Sequence, residues 1–379
     1  MLKDLSLYIH IPFCKQKCYY CDFLSFSNEE DTVSIYFDAL NREINNTPNT
    51  KDEYLVKTIF IGGGTPTYVH FKYIIKVIET IKNNFSVDPE AEISIESNPG
   101  TCNIDSLYAY KNIGINRLSI GLQCWQNNLL KNIGRIHTHE EFVNSYINAK
   151  QVGFTNINID LIFGLPNQSI SHWMETLYEV CKLEPTHLSC YSLKLEEGTV
   201  LYKSNLSNQF TIDEELDRHM YYYSIEYLNN SGYYQYEISN FAKPNMECNH
   251  NLVYWELKPY IGLGLGAHSY FEGYRYSNEE NIKQYIHKIQ NGDTINTAKM
   301  LLSVEDMKAE FIFLGLRKIH GIYDKFYRRM FNSSFFDDYE KEINQLVKED
   351  YIIITDGNLK LSKKGLDFAN FVFMSFLND

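Results

Sequence analysis

The sequence predicts an α/β fold, a partial (β/α)6 barrel of the TIM-like kind followed by a smaller α+β domain that resembles a winged helix. In the first part, short runs rich in β-branched residues alternate with segments that have the apolar spacing of amphipathic helices. Parallel strands need helical crossovers, so this alternation indicates a parallel sheet. Right-handed crossovers then favour a closed or open barrel, whose chemistry lies at the carboxyl ends of the strands.

The predicted elements begin with a strand at residues 5–11 and a helix at residues 27–46, which starts with a capping box. The later strands end in Gly, Pro or Asn turns, as at Gly62-Gly63-Gly64 and Asn98-Pro99-Gly100. Helices fill the intervals, including one at residues 171–183. The further strands are predicted at residues 58–61, 92–96, 117–121, 155–162 and 187–193.

The pattern changes after about residue 210, and the sequence predicts three parts. Residues 1–230 are predicted to form the barrel, and residues 231–300 to form an aromatic and glycine-rich extension. Residues 301–379 are predicted to form the separate C-terminal domain. Its two short strands are joined through Asp356-Gly357, which is a strong hairpin signal, and helices flank them.

The composition is that of a folded protein and argues against several classes. Of 379 residues, 35 are Lys or Arg and 48 are Asp or Glu, so the formal net charge is −13. This acidic balance argues against nucleic acid as a partner, because non-specific binding needs positive charge. No apolar run approaches the ~18 residues of a membrane span. The first residues also lack the pattern of a secretory signal, so we expect a cytoplasmic protein with reduced cysteines.

Three cysteines lie close together in the pattern Cys14-x-x-x-Cys18-x-x-Cys21, directly after the first predicted strand. This spacing allows one loop to bring three thiolates to a metal site. Zinc is an alternative, with His10 as a further ligand, although structural zinc usually has four ligands and often two CxxC pairs. Three thiolates without a fourth ligand favour a [4Fe–4S] cluster in which one iron keeps an open coordination position.

The sequence around these cysteines resembles the radical S-adenosylmethionine superfamily. It resembles in particular the branch that contains oxygen-independent coproporphyrinogen III oxidase (HemN) and its relatives, the HemW heme chaperones. The resemblance covers almost the whole chain, from Tyr8 into the C-terminal domain. It is carried by YIHIPFC at residues 8–14 with the cysteines that follow, IGGGTP at 61–66, IESNP at 95–99, RLSIGLQ at 117–123, IDLIFGLPNQ at 159–168 and HNLVYW at 250–255.

The resemblance implies that Cys14, Cys18 and Cys21 bind a [4Fe–4S] cluster and that the open iron binds S-adenosylmethionine. Reductive cleavage of that cofactor is the chemistry of the superfamily, while the protein supplies position and excludes water. The resemblance also implies which residues contact S-adenosylmethionine. They are Tyr8, Tyr20, Gly63, Gly64, Thr65, Glu96, Gln123, Arg135 and Asp160.

Each of these residues also has a simpler interpretation. The glycines can form an ordinary tight turn, the polar residues at the strand ends can be capping or surface groups, and the two tyrosines can be packed. Arg135 and Asp160 match positions that bind a second S-adenosylmethionine in the oxidase. The sequence leaves open whether this chain holds one molecule or two.

His250 is a candidate heme ligand. It opens the HNxxYW segment, which resembles that of the HemW chaperones, and imidazole is a common axial ligand of heme iron. Tyr254 and Trp255 have the flat rings that can pack on a porphyrin face. The alternative hypothesis is that His250 is a hydrogen-bonded core residue, since aromatic and apolar surroundings are equally expected there.

At one position the chain departs from the oxidase pattern. The oxidase has a further cysteine two residues after the third, where this chain has Phe23. We therefore expect a chaperone that carries heme as cargo and transfers it to acceptor proteins, such as membrane-associated respiratory cytochromes, with an electron donor for the cluster. Oxidative decarboxylation of coproporphyrinogen III is the alternative, and a zinc-stabilised barrel is the third hypothesis. The sequence does not show whether S-adenosylmethionine is cleaved, and it does not give the oligomeric state.

Overall fold

In the computed structural model, which describes residues 2–48, 50–207, 210–211 and 213–377, six parallel strands form an open barrel. Strands that follow one another in the chain are also neighbours in the sheet. Each crossover therefore returns the chain to the adjacent strand. The strands are β1 (Lys3–Ile11), β2 (Tyr54–Gly63), β3 (Val87–Ser97), β4 (Arg117–Gln123), β5 (Asn156–Phe163) and β6 (His187–Ser192).

Helices connect these strands, so the predicted partial barrel of strand–helix pairs is confirmed. Strand β3 is longer than predicted because it begins with Val87-Asp88-Pro89-Glu90, and Asp, Pro and Glu give no strand signal. No helix among the described residues is long and apolar enough to cross a membrane. The connecting helices are α1 (Glu30–Asn46), α2 (Phe71–Asn84), α3 (Ile104–Ile113), α4 (Asn127–Asn132), α5 (His139–Val152) and α6 (Ile170–Lys182).

The barrel strands separate apolar from polar side chains. In β1, Leu7 and Ile9 are fully buried in the hydrophobic core that also contains the helix side chains. The alternate residue Tyr8 lines the barrel interior, which we call the lumen. The same alternation places Ser119 of β4 and Asp160 of β5 in the lumen. Successive strand residues point to opposite faces, so the barrel has an apolar exterior under the helices and a polar lumen.

The segment between the barrel and the C-terminal unit extends the barrel sheet at both edges. On one side β8 pairs antiparallel with β6, and on the other side β9 pairs parallel with β1. These strands have two to six residues, which is too short for a periodic sequence signal. The elements are α7 (Val200–Leu206), α8 (Glu214–Asn230), β7 (Tyr234–Gln235), β8 (Asn240–Ala242), α9 (Asn249–Trp255), β9 (Tyr260–Leu263), β10 (His268–Phe271), β11 (Tyr274–Asn278), α10 (Ile282–Asn291) and β12 (Asn296–Leu301).

The C-terminal unit has its own hydrophobic core and a three-stranded sheet in the order β13-β15-β14. Asp356 and Gly357 both have positive φ angles, 49° and 73°, which fits the predicted two-residue hairpin. The smaller α+β domain is therefore confirmed. Its elements are α11 (Val304–Gly315), β13 (Ile322–Tyr323), α12 (Asp324–Phe331), α13 (Phe335–Asp338), α14 (Glu340–Lys348), β14 (Ile352–Thr355), β15 (Asn358–Leu361), α15 (Lys363–Asp367) and α16 (Ala369–Met374).

Glu43 of α1 fastens the sheet extension to the barrel. Its buried carboxyl group accepts hydrogen bonds from the Gly264 backbone N–H at 2.9 Å and from Asn278 Nδ2 at 2.8 Å. The Tyr285 hydroxyl donates to the same group. Burial nevertheless raises the pKa of Glu43 to about 7, although these hydrogen bonds oppose the shift. The carboxyl group is therefore partly protonated in the folded protein at neutral pH.

This pKa predicts how stability depends on pH. Between its unfolded pKa and about 7, Glu43 keeps its proton in the folded state and loses it in the unfolded state. The free energy of unfolding therefore falls as pH rises from 5 to 8, by an amount on the order of 3 kcal/mol for this group. We expect Glu43→Gln to remove this part of the pH dependence, as measured by urea unfolding at pH 5 and 8. Equal pH dependence in the variant and the wild type would contradict the prediction.

Candidate functional site

The three clustered cysteines lie on the loop that follows β1. Two backbone hydrogen bonds fold this loop back on itself, from Cys14 N–H to the Phe26 carbonyl at 2.8 Å and from Phe26 N–H to the Pro12 carbonyl at 2.7 Å. Cys14 is buried, whereas Cys18 and Cys21 are partly exposed. The thiols are close enough to interact electrostatically. Burial raises the pKa of Cys21 to about 11, and Cys18 and Cys14 add to this shift.

Two polar side chains point at the cysteine sulfur atoms. Thr65 Oγ1 donates to Cys14 Sγ at 3.5 Å, and Arg135 Nη1 donates to Cys18 Sγ at 3.5 Å. Burial raises the pKa of Cys14, and the hydrogen bond from Thr65 opposes that shift. Hydrogen bonds and a positive charge at thiolate sulfurs stabilise the deprotonated form that binds metal.

These residues fit the chemistry of an iron–sulfur cluster. The donor set consists of three thiols on one loop beside a guanidinium, and iron–sulfur clusters are held by cysteine thiolates. The fit is one of donor chemistry. Among the described residues, no group of three or more His, Cys, Asp or Glu side chains is arranged to hold a metal ion. The assignment of the three cysteines as ligands stays a prediction.

The glycine turn at the end of β2 packs against the cysteine loop. A Cβ atom on Gly64 would lie 2.8 Å from the Phe13 carbonyl oxygen and 3.0 Å from Cys14 Sγ. Gly63 has a φ angle of 113°, and a Cβ there would lie 2.6 Å from the His10 ring. The Gly64 N–H donates to the Ile11 carbonyl at 2.8 Å. The two glycines are therefore required because the cysteine loop and the His10 ring approach the backbone closely. An ordinary tight turn would not by itself require glycine at both positions.

Glu96 and Asp160 form the acidic part of the site. Glu96 Oε2 accepts from the Gly63 N–H at 3.1 Å. Burial raises the pKa of Glu96 to about 8, and repulsion from Asp160 adds to the shift. Asp160 accepts from Ser119 Oγ at 2.8 Å and from Asn158 Nδ2 at 2.9 Å, and burial raises its pKa as well. Glu96 therefore keeps its proton at neutral pH and can donate a hydrogen bond.

Arg135 is held between the cysteine loop and β4. Its Nη2 donates to the Gly121 carbonyl, and a Cβ on Gly121 would lie 2.5 Å from that nitrogen. Gln123, at the end of β4, has a φ angle of 74°, a conformation that is uncommon outside glycine and is found at functional sites. Tyr20 interacts electrostatically with both Arg135 and Cys18. The sequence-predicted residues near the cysteines are thus Tyr20, Gly64, Thr65 and Arg135.

Four of the other sequence-predicted residues line the lumen. A cavity of about 220 Å³ is lined by Tyr8, Gly63, Glu96 and Asp160. The hydroxyl of Tyr8 is 3.0 Å from His10 Nδ1, and His10 Nε2 is bonded to the Leu24 carbonyl at 2.8 Å, so His10 supports the loop. Gly64 and Gln123 are not among the residues that line this cavity. Their contact with S-adenosylmethionine stays a prediction, as it does for all nine residues that the resemblance assigns to this cofactor.

His250 lies on α9, which packs against the middle of β2 and β3. Its Nδ1 is 2.7 Å from Thr58 Oγ1 and its Nε2 is 2.8 Å from the Tyr254 hydroxyl. The ring stacks on Phe60 at 5.2 Å and is buried. Burial lowers the pKa of His250 to about 3, so it is neutral. Both ring nitrogens are engaged, although His250 and Tyr254 also line the lumen cavity.

Sequence reasoning missed a second set of lumen residues. Glu92 accepts from the backbone N–H groups of Asn249 and His250, each at 3.1 Å, and so caps the start of α9. The signal that could have found the lumen residues is the alternation of polar and apolar letters in RLSIGLQ and NINID. Glu92 itself does not line the cavity, and the missed residues that do are Phe60, Arg117, Ser119, Asn158, Ser189 and Tyr191.

Comparison with known proteins identifies the family of the chain. The sequence profile of the Radical SAM superfamily matches residues 8–179, and that of the HemN C-terminal domain matches residues 302–368. The heme chaperone HemW of Bacillus subtilis is 35% identical over 376 residues, which is 99% of each chain. HemW of Escherichia coli is 38% identical over 268 residues, or 70% of each chain.

A solved structure has the same fold. Coproporphyrinogen III oxidase (HemN) from Escherichia coli, described as a radical SAM enzyme, superposes with a TM-score of 0.87 at 24% sequence identity. The match covers 99% of this chain and 90% of the oxidase. At this identity the likeness establishes the fold alone.

Proposed function

Because the chain belongs to the HemW family of radical SAM proteins, we propose that it is a heme chaperone, which binds heme and transfers it to acceptor proteins. The identity to the Bacillus subtilis chaperone over 99% of both chains carries this proposal. A chaperone named HemW from Lactococcus lactis, 32% identical over 98% of its length, supports the same function.

Phe23 supports the chaperone over the oxidase. It occupies the position at which the oxidase pattern has a further cysteine, and its side chain is 65% exposed at the wall of the lumen cavity. An exposed aromatic ring beside a cavity suits contact with a flat apolar ligand.

The superfamily carries a [4Fe–4S] cluster and S-adenosylmethionine, and we assign the cluster to Cys14, Cys18 and Cys21. When bound, these groups supply one-electron chemistry. Arg135 places a positive charge at Cys18, and Thr65 donates to Cys14. Protonated Glu96 suits donation to a ligand hydroxyl group, which an ionised carboxylate cannot do. The proposed contacts with S-adenosylmethionine are Tyr8, Tyr20, Gly63, Gly64, Thr65, Glu96, Gln123, Arg135 and Asp160.

We retain His250 as the candidate axial ligand of heme. A neutral imidazole is the form that binds iron, and burial keeps His250 neutral. Coordination requires that Nε2 leaves the Tyr254 hydroxyl or that Nδ1 leaves Thr58. The proposed acceptors of heme are membrane-associated respiratory proteins. We also propose that the protein acts in the cytoplasm, where an electron donor would reduce the cluster.

The cluster assignment predicts the properties of Cys18→Ala. We expect this variant to lose the broad absorption near ~400 nm that thiolate-bound iron–sulfur centres have, because one of three ligands is removed. The control is Cys181→Ala, which replaces a partly exposed cysteine of α6. The measurement is the absorption spectrum with iron and sulfide content after anaerobic reconstitution. Unchanged absorption in Cys18→Ala, or zinc in place of iron in the wild type, would contradict the assignment.

The chaperone function predicts the outcome of two assays on one reconstituted sample. We expect the protein to bind heme stoichiometrically, as followed by the Soret band. Under anaerobic, reducing conditions with S-adenosylmethionine and coproporphyrinogen III, we expect no protoporphyrinogen IX. Transfer of bound heme to an apocytochrome would complete the test. Product formation without heme binding would reverse the assignment in favour of the oxidase.

The axial ligand is tested by a pair of variants. If His250 binds heme iron, His250→Ala shifts the Soret band and weakens binding. Tyr254→Phe removes the hydroxyl that engages Nε2, so it should leave coordination intact or strengthen it. An unaltered Soret band and affinity in His250→Ala would remove it as the ligand and leave it the role of a core residue.

A further inference from the structure

The lumen contains one positive charge that the proposed cofactor contacts do not use. Arg117 is the first residue of β4 and is only 2% exposed, yet it lines the lumen cavity. Its Nε is buried and has no hydrogen-bond partner. No ion pair joins the Arg117 guanidinium to a carboxylate of the described residues, and no hydrogen bond from it to them is found. A buried guanidinium that donates no hydrogen bond is costly, because its N–H groups lose water without gaining an acceptor.

The nearest acidic groups already have other donors. Glu92 and Asp160 act on Arg117 electrostatically, as do Cys248 and Tyr236. However, Glu92 accepts from the backbone at the start of α9, and Asp160 accepts from Ser119 and Asn158. The two carboxyl groups therefore balance the charge of Arg117 at a distance. They leave its N–H groups free for a ligand.

The position of Arg117 in the cavity defines which part of a ligand can reach it. Gly63 lies at the carboxyl end of β2, beside the cysteine loop, whereas Arg117 lies at the amino end of β4. Both line the same cavity, so the cavity extends from the cysteine end toward the opposite end of the barrel. Its volume of about 220 Å³ is below the ~300–1,000 Å³ of typical ligand pockets. It can take a side chain of a larger ligand but not a whole porphyrin, so coordination of heme iron by His250 also requires this cavity to widen.

We propose that Arg117 binds a carboxylate group of a ligand that enters the lumen from the cysteine end. The planar guanidinium matches a carboxylate through two parallel N–H···O bonds. The inference rests on the proposed function, which supplies heme as the ligand, and heme carries two propionate groups. S-adenosylmethionine is assigned to the open iron at the cysteine end, so its carboxylate is not the one expected at Arg117. Aromatic walls formed by Tyr8, Phe60 and Tyr254 would surround the chain that bears the carboxylate.

A ligand without the carboxylate tests this inference on the wild-type protein. Heme is compared with its dimethyl ester by equilibrium titration of the reconstituted protein. We expect the ester to bind at least about tenfold more weakly, which is the effect of losing one charge-assisted hydrogen bond. Equal binding of heme and its ester would overturn the proposal.

Variants then assign the effect to the residue. In Arg117→Met, which replaces the charge with an apolar chain of similar length, the preference for heme over its ester should disappear while the ester binds as before. Arg275→Met is the control, since Arg275 is paired with Glu310 outside the lumen. A preference retained in folded Arg117→Met would overturn the assignment to Arg117. A wild type that binds neither heme nor its ester would contradict the chaperone function and this proposal with it, whereas equal binding of both would overturn the role of Arg117 alone.

Discussion

The alternation of apolar and polar residues along the barrel strands is the constraint on which the rest of the structure depends. Ile159 and Leu161 of β5 are buried in the core. Asn158 and Asp160, which alternate with them along the strand, are hydrogen-bonded to each other inside the barrel. A one-residue slip in register would reverse both faces and bury the carboxylate under a helix. The same pattern therefore supplies the core and delivers polar side chains to the lumen.

The polar lumen explains why so many groups in it have shifted pKa values. Burial raises the pKa of Glu96 to about 8 and lowers that of His250 to about 3, so both groups are uncharged at neutral pH. Arg117 keeps its charge because Glu92 and Asp160 oppose the effect of burial. Perturbed groups that converge on one cavity are typical of functional sites.

Helix α9 connects this lumen to the C-terminal domain. His250 faces Thr58 and Phe60 in the barrel, while the Trp255 ring lies 4.4 Å from the guanidinium of Arg317 at the end of α11. Glu256 and Lys318 are 3.5 Å apart across the same contact. The HNxxYW segment thus has a structural role, since its first residue packs in the barrel and its last one packs on the neighbouring domain.

The sequence by itself determined the barrel, the C-terminal domain, the cysteine loop and the family, because these depend on local periodicity, spacing and contiguous motifs. The short strands β7 to β12 have too few residues for such a signal. They form by pairing outward from the barrel edges, where β8 pairs with β6 and β9 pairs with β1. Only the tertiary structure showed that Tyr285 donates a hydrogen bond to Glu43 and that Gly64 packs against Cys14. It also showed that both ring nitrogens of His250 have hydrogen-bond partners. It also left Arg117 buried without a partner. Burial and pairing of polar groups arise from residues distant in the chain, so no local pattern records them.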